Sequence, residues 1–301
     1  MIFLDKLSLP AATIKVVRDD LYPFVGGGNK ARKALYYERY MIEHGFNAIV
    51  TTGGVQSNHN RAMAVIASRN NWPCHLVVHG SEERFNQESG NPKLIRALRG
   101  ITTEFVSVDK ISSSMDDAIS RYKGQGYNPL YVTGGGHDLI ASYAYVDAVP
   151  ELLKATSEAS QLKYVFLALG TGSTMAGISA GLELAGLDTT VVGVSIARKK
   201  ERATDVTMTF AQVLYKELNL SAPVGNIIIT DEYLCGGYEG STPEMTQWID
   251  NVIARTGIFF DYTYSGKALW GAYNYMTKHK IAPSEVLFWH TGGLMNYLAN
   301  S

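Results

Sequence analysis

Three glycine-rich stretches hold the residues of this chain whose types and spacing suit chemistry. Gly26-Gly27-Gly28-Asn29-Lys30-Ala31-Arg32-Lys33 places flexible backbone directly before a cluster of cations. Gly53-Gly54-Val55-Gln56-Ser57-Asn58-His59 and Gly170-Thr171-Gly172-Ser173-Thr174 each follow a short apolar run and precede a segment of helical period. Small residues at such a strand-to-helix turn leave backbone N–H groups exposed at a helix N-terminus, which suits an anion. The same residues are also good helix caps, so each turn alone is compatible with capping or with anion binding. Two phosphate motifs are excluded. No G-K-[ST] triplet is present, and Gly170-Thr171-Gly172-Ser173-Thr174-Met175 lacks the third glycine of a dinucleotide fingerprint.

The elements that must position these turns alternate. From about residue 45, β-branched runs alternate with helical segments, the pattern of a parallel sheet with helices on its faces, so the fold class is α/β. Strands are predicted over 47–51, 75–79, 104–108, 129–132, 164–169, 191–196, 226–230 and 285–289. Helices are predicted over 58–70, 92–98, 139–155, 174–185, 202–218, 243–255 and 266–278. These strands fit one sheet or two. Gly134-Gly135-Gly136 is the weakest place in the pattern and marks a candidate domain boundary. In an open α/β sheet, ligands bind beyond the carboxyl ends of the strands, where the glycine turns lie.

Composition narrows the partners. The chain has 301 residues, 46% hydrophobic and 18% charged, with a net charge of -1, and shows no basic footprint for nucleic acid. No segment approaches the roughly 20 apolar residues of a membrane helix. The N-terminal MIFLDKLSLP breaks its apolar run with Asp5 and Lys6, unlike a secretory signal, so a cytoplasmic location without membrane contact is expected. The two cysteines, Cys74 and Cys235, have no zinc-ligand spacing, and no metal site is expected.

Read in order, the motifs carry a resemblance. Gly27-Gly28-Asn29-Lys30-Ala31-Arg32-Lys33, Thr52-Gly53-Gly54-Val55-Gln56-Ser57-Asn58-His59, the 170–177 run, Tyr238, Asp261-Tyr262-Thr263-Tyr264-Ser265-Gly266-Lys267-Ala268 and His290-Thr291-Gly292-Gly293 resemble the family of D-cysteine desulfhydrases and 1-aminocyclopropane-1-carboxylate deaminases. The match runs from about residue 22 to 297. It implies a tryptophan synthase β-like fold, with two parallel-sheet α/β domains and pyridoxal 5'-phosphate between them. The small domain is expected over 36–133, inside a large domain of 1–35 and 134–301. Members usually dimerise, so a homodimer acting on a small amino acid is implied.

The resemblance also assigns roles. Lys30 looks like the lysine that forms an imine with the cofactor and later acts as a base. Gly170, Thr171, Gly172, Ser173 and Thr174 would hold the phosphate, with Lys33 adding a cation. Asn58 would contact the ring hydroxyl, while Ser57 would receive the substrate carboxylate and His59 would lie near the substrate. Tyr238 and Tyr264 would stand at the substrate as proton donors or acceptors, although tyrosines more often fill a core. Ser265 and Thr291 would face the pyridine ring.

Ser265 bears on the activity. The ring-opening deaminases carry a carboxylate at this position, which keeps the pyridine nitrogen protonated and the ring a strong electron sink. A serine does not, which favours direct expulsion of a β substituent. Thr291 and His59 agree with desulfhydrases. The sequence departs from the family at His137-Asp138, Glu239 and Met295. The expected reaction is β-elimination from a small amino acid such as D-cysteine, giving pyruvate, ammonia and sulfide. Ring opening of the cyclopropane amino acid, elimination or replacement on another substrate such as cysteate, and a carrier or sensor without turnover are the alternatives.

Overall fold

A computed structural model describes residues 2–24, 26–221 and 226–299. Ten strands run in chain order: β1 Leu4–Leu9, β2 Ala12–Arg18, β3 Ala48–Gly54, β4 Cys74–His79, β5 Ile101–Val106, β6 Pro129–Val132, β7 Tyr164–Leu169, β8 Thr190–Ser195, β9 Ile227–Thr230 and β10 Val286–His290. They form two sheets, ordered β1-β2-β10-β7-β8-β9 and β5-β4-β3-β6. Every described pairing is parallel except the β1–β2 hairpin. The sequence left one sheet or two open, and two is the outcome. The expected α/β class stands.

In the larger sheet, β7, β8 and β10 read as near-continuous apolar runs because helices cover both faces. Its core joins Leu7 and Val16 of the hairpin to Phe166, Val192 and Phe288, beneath Leu269 of the helix Ser265–His279. In the smaller sheet, Ala48, Val50 and Val77 pack against Met115, Ala118 and Tyr122 of the helix Ile111–Gly124.

The chain divides into two compact units. One takes residues up to Asn29 and Ser142–Leu294, and the other takes Lys30–Ala141 with the segment from Met295. These boundaries differ from the expected 36–133. Ala31, Ala34, Tyr37 and Met41 bury one face of the helix Gly28–His44, and Tyr37 Oη donates to Asp138 within the smaller unit. Asn296 belongs to that unit because its amide donates to the carbonyl of Gln56.

The predicted helix 139–155 is instead two, Leu139–Val146 and Ala148–Ala155. Pro150 has no N–H to offer the carbonyl four residues back, so the first helix stops and the second begins with the proline in its first turn. Among the described residues no helix is long and apolar enough to cross a membrane, and no cluster of His, Cys, Asp and Glu could hold a metal.

Candidate functional site

In the smaller unit, the turn after β3 leads into the helix Asn58–Arg69. Ser57 is the N-cap, accepting from Asn60 N at 3.1 Å. The Asn58 amide is held on both sides. Its oxygen accepts from Arg61 at 2.7 Å and from Asn91 at 3.1 Å, and its nitrogen donates to Asn296 Oδ1 at 2.5 Å. One amide hydrogen is left for a ligand.

His59 departs from the expectation. It is 2% exposed, and its Nε2 pairs with Thr51 Oγ1 at 2.9 Å. Thr51 donates onward to the Val132 carbonyl at 2.8 Å, so Nε2 carries the proton and Nδ1 is a buried acceptor without a partner. Burial, followed by the charges of Lys30 and Lys33, holds its pKa well below the usual histidine value. His59 is thus a buried neutral imidazole bonded to Thr51, where the sequence reading had it near the substrate.

Both lysines reach one turn. Lys30 Nζ donates to the Gly135 carbonyl at 2.7 Å, and Lys33 Nζ to the Gly136 carbonyl at 3.4 Å. Burial lowers the Lys30 pKa to about 8. Burial and the Lys30 charge push Lys33 well down, while Asp138 pulls it back up. A neutral amine at Lys30 is a nucleophile and a base near physiological pH. The sequence reading took Gly134-Gly135-Gly136 for a domain boundary and missed its two acceptor carbonyls. It also missed Tyr37 and Asp138 behind them. Their signal was the departure at His137-Asp138.

In the larger unit, Gly170-Thr171-Gly172 joins β7 to the helix Ser173–Leu184. Gly172 is the N-cap at φ 99°, and no side chain caps this helix. A helix N-terminus without a side-chain cap suits an anion. A Cβ on Gly170 would meet nothing within 4 Å, so the turn opens onto free space. Asn29 Nδ2 donates to Thr174 Oγ1 at 3.2 Å, which ties the residue preceding Lys30 to this turn. Arg198, which the sequence did not single out, donates to the Gly170 carbonyl.

The same unit holds the remaining candidates. The Tyr238 and Tyr264 hydroxyls are 2.6 Å apart, with the rings edge-on. Burial, then Tyr238 itself, raises the Tyr264 pKa well above that of a free phenol. Burial also raises the Tyr238 pKa, while its bond to Tyr264 works the other way. Ser265 Oγ donates to Asp261 Oδ1 at 2.8 Å. Asp261 is fully buried and also accepts from the backbone N–H groups of Thr263, Tyr264 and Ser265. Four donors fill the lone pairs of one carboxylate, so Asp261 ties together the backbone that leads into this helix.

Thr291 lies in the turn after β10. Its carbonyl accepts from Asn29 N at 2.9 Å. His290 fixes the turn by donating from Nε2 to the Phe259 carbonyl at 2.9 Å and accepting from Gly292 N at Nδ1. Asn29 is thus held twice, at its backbone and at its side chain, immediately before Lys30.

The profile of the family described as pyridoxal-phosphate dependent enzyme matches residues 1–292. A solved ACC deaminase homologue is 28% identical at TM-score 0.87, covering 99% of this chain and 90% of that one. A hydrogen sulfide-producing enzyme from Fusobacterium nucleatum shares 14% identity at TM-score 0.68, over 97% of this chain and 93% of that one. O-ureido-L-serine synthase shares 17% at TM-score 0.68, over 98% and 90%. The last two show the fold alone.

The residues present suit this cofactor. A primary amine lowered to about 8 suits its aldehyde, and an uncapped helix start opening at Gly170 suits its phosphate. Gly172 gives a direct test, because a Cβ there would sit 2.7 Å from Thr207 Oγ1 in a backbone conformation that side chains rarely adopt. Gly172→Leu is expected to weaken cofactor affinity by about 100-fold or more in an equilibrium titration, in line with losing two or more charge-assisted bonds. Unchanged affinity would reduce the turn to a helix cap. Fold, turn chemistry and the family profile agree that this chain belongs to the pyridoxal-phosphate dependent enzyme family, of tryptophan synthase β-like fold, with pyridoxal 5'-phosphate as its cofactor.

Proposed function

We propose that this protein is a lyase that eliminates the β substituent of a small amino acid such as D-cysteine, releasing pyruvate, ammonia and sulfide. The observation that carries the reading is Ser265. The carboxylate bonded to Ser265, that of Asp261, accepts from four donors, and Ser265 spends its proton on it. What Ser265 offers a ring nitrogen is a hydroxyl lone pair, a far weaker support for a protonated ring than a carboxylate.

When bound, the cofactor withdraws electrons from the substrate Cα, and without a carboxylate partner it does so less strongly, which favours prompt departure of a β substituent over ring opening. The remaining work falls to the chain. Lys30 would hold the cofactor covalently and, once the substrate amine displaces it, its freed Nζ would take the proton from Cα. Gly170, Thr171, Gly172, Ser173 and Thr174 bind the phosphate, with Lys33 lending positive charge. Asn58 uses its free amide hydrogen on the ring hydroxyl, and Thr291 and Ser265 orient the ring. Ser57 and neighbouring N–H groups receive the substrate carboxylate. Tyr238 and Tyr264 move the proton that the departing group requires.

The similarity to an ACC deaminase homologue keeps ring opening as the second reading. One assay separates them. Purified protein is incubated with D and L forms of β-substituted amino acids, cysteate among them, and with the cyclopropane amino acid. Pyruvate from the first set without ketobutyrate from the second supports the lyase. Homodimer formation and a cytoplasmic location belong to the same reading, and sedimentation of the holoenzyme tests the former.

A further inference from the structure

Lys267 has no part in the reaction described above, and its placement is costly. It is 0% exposed and lies in the first turn of the helix Ser265–His279. A cation there is desolvated and also faces the positive end of the helix dipole. Helix stability gives no reason for a lysine at this position. Its bonds do: Nζ donates to the Gly237 carbonyl at 2.7 Å and approaches the Ile196 carbonyl at 3.5 Å.

Gly237 lies in an unusual segment. Cys235, Gly236, Gly237 and Glu239 have φ of 50°, 90°, 102° and 60°, and two of these four are not glycine. Backbone of this kind persists only where its surroundings over-determine it. The segment's own bonds are short-range, from Gly237 N to Leu234 O and from Gly240 N to Gly237 O. Lys267 supplies the long-range anchor. It attaches at the residue before Tyr238, which is 44% exposed and whose hydroxyl meets that of Tyr264 at 2.6 Å. Tyr264 is the N-cap of the helix that carries Lys267. The path from Tyr264 to Lys267, to the Gly237 carbonyl, to Tyr238 and back to Tyr264 is closed.

We propose that Lys267 is a positioning residue that holds Tyr238 against Tyr264 by anchoring the Gly237 carbonyl. The inference rests on the reading above in giving the phenol pair its work on substrate.

The test uses holoenzyme carrying Lys267→Met, which keeps the stem and removes the donor. Turnover of the best amino acid in the panel is expected to fall by about 10–100-fold, the size of one lost bond from a charged donor. In a Tyr238→Phe background the same change is expected to cost no more than about 3-fold, because both act through one hydroxyl. Visible absorbance of the cofactor should be unchanged. A second readout needs no substrate. In holoenzyme labelled with 3-fluorotyrosine, the Tyr238 fluorine resonance, assigned through Tyr238→Phe, should move to the value of a solvated phenol in Lys267→Met and titrate at lower pH. If no amino acid turns over, the functional reading fails, and the fluorine spectrum still decides the role of Lys267. An unmoved resonance, or equal losses in both backgrounds, would overturn the proposal. Should Lys267→Met fail to fold, Lys267→Gln, with a shorter amide donor, is measured in the same way. Loss of cooperative unfolding in both would make Lys267 a folding residue and overturn it as well.

Discussion

Lys30→Ala is expected to abolish the visible absorbance of the cofactor-loaded protein and to leave turnover at background. The amine it removes is the one whose pKa burial lowers to about 8. At pH 7.5 an amine of that pKa is roughly one quarter neutral, against about one in a thousand for an ordinary lysine. Only the neutral form attacks an aldehyde, so Lys30 should capture the cofactor hundreds of times faster than surface lysines. Its capture rate should rise with pH to a midpoint near 8 rather than above 10. Borohydride reduction followed by peptide mapping checks the assignment. The alternatives are Lys33, beside the Gly136 carbonyl and the Asp138 charge, and Lys267, on the Gly237 carbonyl. Label on either of them would sink the assignment. Because Lys30 sits in the first turn of a helix whose buried face is carried by other residues, Lys30→Ala should unfold at the wild-type apoprotein temperature.

The parallel strands were legible because burial on both faces demands apolar runs, as in Val165-Phe166-Leu167 and Val191-Val192. The β1–β2 hairpin was not, since it mixes Asp5, Lys6 and Lys15 into an edge ribbon whose alternation is weak. The helix Gly28–His44 was hidden by the composition of its start. Its first turn reads as a basic glycine loop, and the stripe of Ala31, Ala34, Tyr37 and Met41 begins only after the lysine that drew attention. The helix Ile111–Gly124 shows three core residues among serines and charges, too thin a stripe to register.

At the candidate site, residue types were legible in the motifs, as at Lys30, Gly172 and the tyrosine pair. What supports those residues was not. Carbonyl acceptors at Gly135, Gly136 and Gly237 have no side-chain signature, since any residue supplies a carbonyl. Asn296 holds Asn58 across 238 positions of sequence, a pairing that no local pattern reveals. His59 erred in the other direction. Its motif position suggested contact with the substrate, but a residue next to a cap on a buried helix face points inward.

Ser265→Glu is expected to change the protein in two separable ways. Ser265 is fully buried, with its hydroxyl 2.8 Å from Asp261 Oδ1, so a glutamate there places two carboxyls in one dry space. Both cannot ionise, and the pKa of one must rise on folding. A rise of about 2–3 units costs roughly 3–4 kcal/mol of stability at neutral pH. The sign is fixed by linkage. A carboxyl whose folded pKa lies above its unfolded value near 4.3 adds no penalty below that pH and a growing one as pH rises through the folded value. Denaturant unfolding at several pH values should show variant and wild type converging towards pH 4.5 and diverging towards 7.5. The second effect is on reaction. A carboxylate at the ring makes the cofactor a stronger electron sink, so β-elimination should slow and substrate should induce a persistent long-wavelength absorbance. Tyr264→Phe is the comparison, costing about 10²–10⁴-fold through loss of proton transfer without the pH-dependent instability. Efficient release of ketobutyrate from the cyclopropane amino acid by the wild type would return this chain to the ring-opening branch. Ser265→Glu would then be expected to raise that activity rather than redirect it.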